Sequence, residues 1–370
     1  MDKLAVVTTM PLRNYVSLGR SGLRVSPLCL GAMTFGEEWG WGSGVEESKK
    51  ILDRYVELGG NFIDTANGYT KGHSEAIIGE HIGRHSSRRD RLVIATKFLT
   101  NMYRGDPNGG GAGRKSLVSA CENSLRRLQT DYIDLYWMHF WDRFTPIEET
   151  MRALDDLVAA GKVRYIGFSD TPAWKVAQAQ TTAILKGWTP LIALQLEYSL
   201  LERTIEGELI PAALELGLGV TPWSPLRAGM LTGKYTRESV KTATPGRGAF
   251  VSRAFTEQSF KVLDVLTTVA REAGTTVART ALAWVAQRPA IASTIIGART
   301  MDQLEDNLGA LEVKLTAEQV KALNEVSQPK LNFPHDFLEN AKVFAYNGAT
   351  IDGLVAPVNP MSPASDEERF

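Results

Sequence analysis

The 370-residue sequence predicts an α/β protein built as a (β/α)8 TIM barrel, and three observations carry that prediction. Eight short apolar runs recur, at 28–31, 61–65, 92–96, 133–137, 163–168, 192–196, 219–223 and 293–296. They are almost unbroken by polar residues, as strands covered on both faces should be. Amphipathic stretches of helical spacing separate them, and strands that alternate with helices form a parallel sheet. Eight such repeats are the number that closes a sheet into a barrel.

The elements follow in order. Residues 15–18 and 23–26 alternate around a Gly-containing turn, which predicts an N-terminal hairpin. Within the repeats, Leu117, Cys121, Leu125 and Leu128 share one helical face, as do Ile147, Met151, Leu154 and Val158. Thr145 and Pro146 are expected to cap the second of these helices, with the proline at its first helical position, and Gly161 to end it. Extra helices are expected at 260–273 and 277–286, before the last strand. Another is expected at 316–326, where Thr316 and Gln319 have the spacing of a capping box. Beyond Pro329 the periodicity fades among prolines and glycines. The expectation is therefore a barrel over 14–328 and an irregular C-terminal tail over 329–370, placed to close over the active site.

Composition narrows the function. With 41 Lys and Arg against 42 Asp and Glu, the net charge is −1, too little to attract nucleic acid or an anionic membrane. Cys29 and Cys121 lie in apolar surroundings and make neither a disulfide framework nor a zinc pattern. His81 and His85 are spaced four apart, but no third ligand is near, and no metal is expected. The apolar stretch at the N-terminus is too short for a signal peptide, and no run reaches the length of a membrane span. A cytoplasmic protein acting on a small molecule is expected.

In a barrel of this kind, chemistry belongs to the C-terminal ends of the strands. Asp64, Lys97 and His139 fall there on the second, third and fourth strands, and Tyr69 follows closely after Asp64. An acid, an amine, an imidazole and a phenol can build one proton-transfer site. A lysine cation would lower the tyrosine pKa, the aspartate would hold the lysine, and the histidine would direct a hydrogen bond at a substrate oxygen. Trp39 and Trp41 follow the first strand, Phe98 the third and Trp141 the fourth, and together they predict an aromatic-lined substrate pocket. The glycine-rich segment 106–114 lacks the lysine and hydroxyl of a phosphate loop and is expected to be a flap. Lys97 alone also admits another chemistry, a Schiff base with a carbonyl.

The residues around these positions resemble the aldo-keto reductases over roughly 14–330. The resemblance rests on 30–36 (Leu-Gly-Ala-Met-Thr-Phe-Gly), 62–69 (Phe-Ile-Asp-Thr-Ala-Asn-Gly-Tyr), 95–97 (Ala-Thr-Lys) and 131–139 (Asp-Tyr-Ile-Asp-Leu-Tyr-Trp-Met-His). It continues at 167–170 (Gly-Phe-Ser-Asp), 195–203, 223–234 and 297–307. The later segments look most like the branch of aryl-alcohol dehydrogenases and potassium-channel β subunits.

The resemblance implies a nicotinamide reaction in which Tyr69 is the general acid or base, Lys97 and Asp64 tune it, and His139 orients the carbonyl. It also implies cofactor contacts along the mouth. Gly31 and Met33 lie in the first motif. Ser169, Asp170 and Gln195 would hold the carboxamide, and Trp223 would stack on the nicotinamide. Ser224, Pro225, Leu226, Gly229 and Lys234 would fold over the pyrophosphate, with Arg247 beyond them. Gly297, Arg299, Gln303 and Asn307 would receive the adenosine end. A guanidinium at Arg299 favours a 2′-phosphate, hence NADP(H). Asp170 stands where the family often has asparagine; an ionised aspartate accepts from an amide NH2 but cannot donate to its oxygen. The implied activity is an NADP(H)-dependent carbonyl reductase or alcohol dehydrogenase for aromatic or bulky substrates lined by Trp39, Tyr69, Phe98, His139 and Trp141. The alternative is a protein that binds NADPH and reports redox state with little turnover.

Overall fold

The computed structural model describes residues 11–238 and 254–369. Eight parallel strands form one sheet: β3 (Leu28–Gly31), β4 (Phe62–Asp64), β5 (Val93–Phe98), β6 (Ile133–Met138), β7 (Val163–Ser169), β8 (Leu191–Glu197), β9 (Gly219–Trp223) and β10 (Thr294–Gly297). Neighbours pair in chain order from β3 to β9, and β10 lies on the other side of β3. Two backbone bonds close the circle: Val220 donates to the Ala290 carbonyl and Ala292 to that of Val220, each at 2.9 Å. The predicted barrel and its eight strands are all present.

Side chains two apart on a strand point the same way, and this alternation fills the barrel. Phe62, Val93, Ala95, Leu135, Trp137 and Ala193 form its interior, all buried. Trp137 takes so much of that space that a Cβ on Gly167 would lie 2.3 Å from its ring. The N-terminal hairpin, β1 (Val16–Ser17) with β2 (Arg24–Val25), adds Leu18 and Val25 to the same cluster. Its turn depends on Gly19, at φ +59°, where a Cβ would sit 2.2 Å from the Ile192 carbonyl oxygen. No side chain can enter there.

Helices cover the outer face. Among them are α1 (Val45–Glu57), α2 (His73–Ile78), α3 (Ser86–Arg89), α4 (Arg114–Leu128), α5 (Ile147–Ala159), α6 (Ala173–Lys186) and α7 (Leu209–Leu216). Leu117, Cys121 and Leu128 of α4 and Met151 and Leu154 of α5 are buried, as their spacing predicts. Helices Glu257–Glu272, Val277–Ala286 and Ala317–Val326 share a second apolar cluster around Leu266, Trp284 and Leu323. Thr316 and Gln319 complete the capping box. The start of α5 differs from expectation. Pro146 occupies the N-cap, and the Thr145 hydroxyl donates to Asp142 at 2.7 Å rather than capping the helix.

Residues 329–370 form a separate compact unit. Where an irregular tail is expected, this unit contains a helix, His335–Tyr346, and a short antiparallel pair, Thr350–Ile351 with Leu354–Val355. Phe337, Ala341 and Phe344 do carry a helical period there, but over only a few turns between Pro334 and Gly348. Among the described residues, no helix is long and apolar enough to cross a membrane.

Candidate active site

Alternation along β4, β5 and β6 decides which residues reach the mouth. Phe62, Ala95 and Trp137 face inward, so Asp64, Lys97 and His139, two residues on, do too. Lys97 is fully buried, and its ammonium has three partners. It donates to an Asp64 carboxylate oxygen in a close ion pair, to the Thr65 carbonyl at 2.8 Å and to the Tyr69 hydroxyl at 3.1 Å. The second Asp64 oxygen accepts from the Gln195 amide at 2.9 Å. A buried charge persists only when it is paired and hydrogen-bonded in this way.

Tyr69 comes from the loop after β4, and a strained turn holds it. Thr70 and Lys71, immediately after it, have φ of +46° and +60°. A β-branched residue rarely adopts that conformation. Here the Thr70 hydroxyl donates to the Phe35 carbonyl at 2.8 Å and accepts from the Ser74 N–H at 3.0 Å. The phenol ring stands edge-on to His139, with centroids 5.7 Å apart, and Lys97 Nζ lies 4.7 Å from its centre.

Electrostatics separates the roles. Burial opposes the Lys97 ammonium most strongly, but Asp64 and Tyr69 together more than offset it and hold its pKa above the usual lysine value. Burial and the nearby Lys97 charge drive the His139 pKa down to about 3, so the ring is neutral near pH 7. Burial pushes the Tyr69 phenol up; Lys97 pulls it down, and Asp64 pushes back. The balance is above the ordinary phenol, contrary to the expected depression. An ion pair presents Tyr69 with much less field than a lone ammonium would.

The aromatic residues divide. Trp39 approaches Tyr69 edge-on at 6.3 Å and lies tilted against Trp41, with ring centroids 5.5 Å apart, and the loop bearing Trp39 is tied to α2 by a close Glu38–His73 contact. Trp141 is half-buried beyond His139. Phe98 does not line the mouth: since Lys97 faces inward, Phe98 faces outward, fully buried and 4.9 Å from the Tyr136 ring. The segment 106–114 is anchored, with the Ala112 N–H donating to Asp142 at 2.9 Å. His81 bonds Asp53 at 2.8 Å, and no cluster of three metal-ligating side chains occurs among the described residues.

A second polar group spans the ends of β7, β8 and β9. Ser169 and Gln195 are register partners, as are Glu197 and Trp223. Asp170, at φ +41°, accepts from the Trp223 indole N–H at 3.1 Å and the Ser169 hydroxyl at 3.3 Å. The protein crowding this carboxyl raises its pKa to about 6, against the pull of those two donors. Beyond Trp223 the chain turns at Ser224 (φ +54°) over the buried Pro225 and the half-buried Leu226. Lys234 folds back to Gly229, where a Cβ would be 2.8 Å from its amine. Arg227 pairs closely with Glu197. Arg247 lies outside the described residues.

The last group follows β10. Gly297 pairs in register with Gly31, near the partly exposed Met33. A Cβ on Gly297 would meet nothing within 4 Å. Arg299 has a buried Nε with no hydrogen-bond partner, while its backbone N–H donates to the Gln303 side chain at 2.9 Å. Asn307 donates to the Gly297 carbonyl at 3.1 Å. No pattern in the sequence points to the Thr65 carbonyl, the Gln195–Asp64 bond or the Asp170–Trp223 bond. Each depends on which strand ends become neighbours.

The chain is similar to known proteins over most of its length. The model of the Aldo/keto reductase family matches residues 27–328. An uncharacterised oxidoreductase of Bacillus subtilis, YrpG, is 40% identical over 321 residues, 84% of this chain and 95% of its own. Norsolorinic acid reductase B of Aspergillus parasiticus is 39% identical, over 87% of this chain and 86% of its own. An aryl-alcohol dehydrogenase [NADP(+)] of Phanerodontia chrysosporium is 37% identical, over 85% and 86%.

Proposed function

The chain belongs to the aldo/keto reductase family of oxidoreductases, and from that premise we propose that residues 14–328 catalyse an NADP(H)-dependent interconversion of an aromatic or bulky carbonyl compound and its alcohol. The observation that carries this reading is the buried Asp64–Lys97–Tyr69 chain facing a neutral His139.

The cofactor assignment is supported by what the polypeptide leaves unused. Arg299 keeps a buried Nε without a partner, and Gly297 borders open space, where an added Cβ would meet nothing within 4 Å. A phosphate-bearing ligand suits both. Arg299, Gln303 and Asn307 would receive the adenosine end, and Ser224, Pro225, Leu226, Gly229 and Lys234 the pyrophosphate. Ser169, Asp170 and Gln195 would hold the carboxamide, Trp223 would pack on the ring, and Gly31 and Met33 would border it. A relative's name carries NADP(+), which supports the same choice. When bound, a nicotinamide supplies or accepts the hydride.

The chain's own residues do the proton chemistry. Tyr69 gives its phenolic proton to the carbonyl oxygen in reduction and takes it back in oxidation. Lys97, still protonated, stabilises the phenolate that forms, and Asp64 keeps Lys97 in place. His139, neutral, donates an N–H to the same oxygen. Trp39 and Trp141 exclude water around it, which strengthens both interactions.

A fluorescence titration with NADPH and NADH, followed by stopped-flow mixing with aryl aldehydes and ketones, tests this. Preferred binding of NADPH and loss of 340 nm absorbance on adding a carbonyl are expected. Tyr69→Phe should bind the cofactor normally and turn over about 10²–10⁴-fold more slowly. A Tyr69→Phe protein of undiminished turnover would remove the assignment. Tight binding without turnover on any carbonyl would favour the redox-reporting alternative.

A further inference from the structure

We propose that the groove beside Trp141 is a second substrate subsite, which receives the acidic far end of an extended, planar aromatic carbonyl compound; this rests on the reductase reading above. The groove, of about 450 Å³, lies between the loop after β6 and the first turn of α6. Trp141, Phe144 and Trp174 wall it, and Phe144 and Trp174 are 89% and 64% exposed. Exposed rings gathered on one concave surface present apolar area that a flat ligand can cover.

Its charges give the polarity of that ligand. Lys175 Nζ sits 4.9 Å from the Trp141 ring centre and 4.5 Å from that of Trp174, and its hydrogen bond goes to the neutral Gln178 amide at 2.8 Å. Arg143, exposed on the rim, has no carboxylate partner among the described residues. The acids close by are engaged elsewhere. Asp142 accepts from the Ala112 and Phe144 N–H groups and the Thr145 hydroxyl, at 2.9, 2.9 and 2.7 Å, and Glu149 accepts from the Arg114 N–H at 2.9 Å. Two cations without acidic partners among aromatic faces complement an aromatic anion.

Nearness to the active site along the chain argues for the occupant. The His139 and Phe140 rings are 5.7 Å apart, and Trp141 is the next residue. Two residues of chain reach at most about 7 Å, so a rigid molecule of two or three rings spans from His139 into the groove. Its carbonyl meets Tyr69 while its carboxylate or phenolate meets Lys175 and Arg143. A single-ring aldehyde is too short to use the subsite.

Three aldehydes decide the matter: benzaldehyde, a linear biaryl aldehyde with a distal carboxylate, and the methyl ester of that biaryl. In Lys175→Met and Arg143→Ala proteins, KM for the carboxylate is expected to rise about fivefold to tenfold, the loss of one charge-assisted contact, with kcat unchanged. Benzaldehyde and the ester should be unaffected. Trp174→Ala should weaken the carboxylate and the ester alike, and spare benzaldehyde. Equal changes for all three substrates, or none, would overturn the subsite. If the wild-type protein reduces none of them, the reductase reading falls, and calorimetric titration with the biaryl carboxylate decides the groove separately. Binding that is lost in Lys175→Met supports it; absent or unaltered binding overturns it.

Discussion

Two lysines at the same mouth show how differently one side chain can be used. Lys97 is fully buried, with all three N–H bonds directed at a carboxylate, a carbonyl and a phenol. Lys175 is half-buried at the rim, against two indole faces and a neutral amide. The first is held so completely that it has one position and one charge state. The second has no ionic partner among the described residues, and so is available to a ligand. Preorganisation characterises the floor of this site, and unsatisfied attraction its edge.

The sharpest way to break this comparison is to remove the floor lysine. Lys97→Met leaves the Asp64 carboxylate buried without its ammonium. Urea unfolding should show a loss of about 3–5 kcal/mol, with turnover falling alongside. Adding Asp64→Asn should restore a large part of that stability and none of the turnover. A single Lys97→Met variant as stable as the parent would mean that the pair contributes nothing to the fold.

Asp170 should give the intermediate effect. Its raised pKa, about 6, comes from crowding by the surrounding protein, so it gains a proton as the pH falls through that value. A protonated carboxyl can donate to a carboxamide oxygen as asparagine would; the ionised form cannot. Affinity for NADH, which lacks a 2′-phosphate titrating in the same range, measured from pH 8 down to pH 5, should therefore rise through about pH 6, and Asp170→Asn should flatten the profile. His139 adds no titration in that window, since its pKa is about 3. A wild-type profile without an inflection near pH 6 would separate Asp170 from the cofactor.

The smallest effect belongs to the rim. Lys175→Met should change unfolding stability by less than about 0.5 kcal/mol, because no buried charge loses its partner. A larger loss would make Lys175 a structural residue, like Lys97.

The same contrast explains what the sequence could reveal. The barrel was legible because eight buried strands impose eight apolar runs, and Asp64, Lys97 and His139 stood out as polar residues at their ends. Its place after Lys97 predicts Phe98 in the pocket, yet alternation forbids it: if Lys97 faces inward, its neighbour on the strand faces the helices. The local pattern predicts a cap at Thr145, but its hydroxyl goes to Asp142, a contact that such a pattern cannot report. Lys175 and Trp174 left no trace because the exposed side of a helix start obeys no periodicity. Links such as Asp170 to Trp223 join residues 53 apart in the chain, and they become visible only when strand order is known.

The closure of the barrel has a consequence of its own. Seven of the joins between its strands are hydrogen-bonded ladders, whereas β9 meets the segment leading into β10 through the two bonds around Val220. This is the seam of the wall, and the residues proposed to hold the dinucleotide fall on either side of it. Trp223 ends β9 on one side; on the other Gly297 ends β10 and Arg299 lies just beyond it. A ligand gripping both edges acts as a clasp across the thinnest part of the wall. Its binding free energy then becomes resistance to opening, about 2.7 kcal/mol when the ligand stands at a hundred times its Kd.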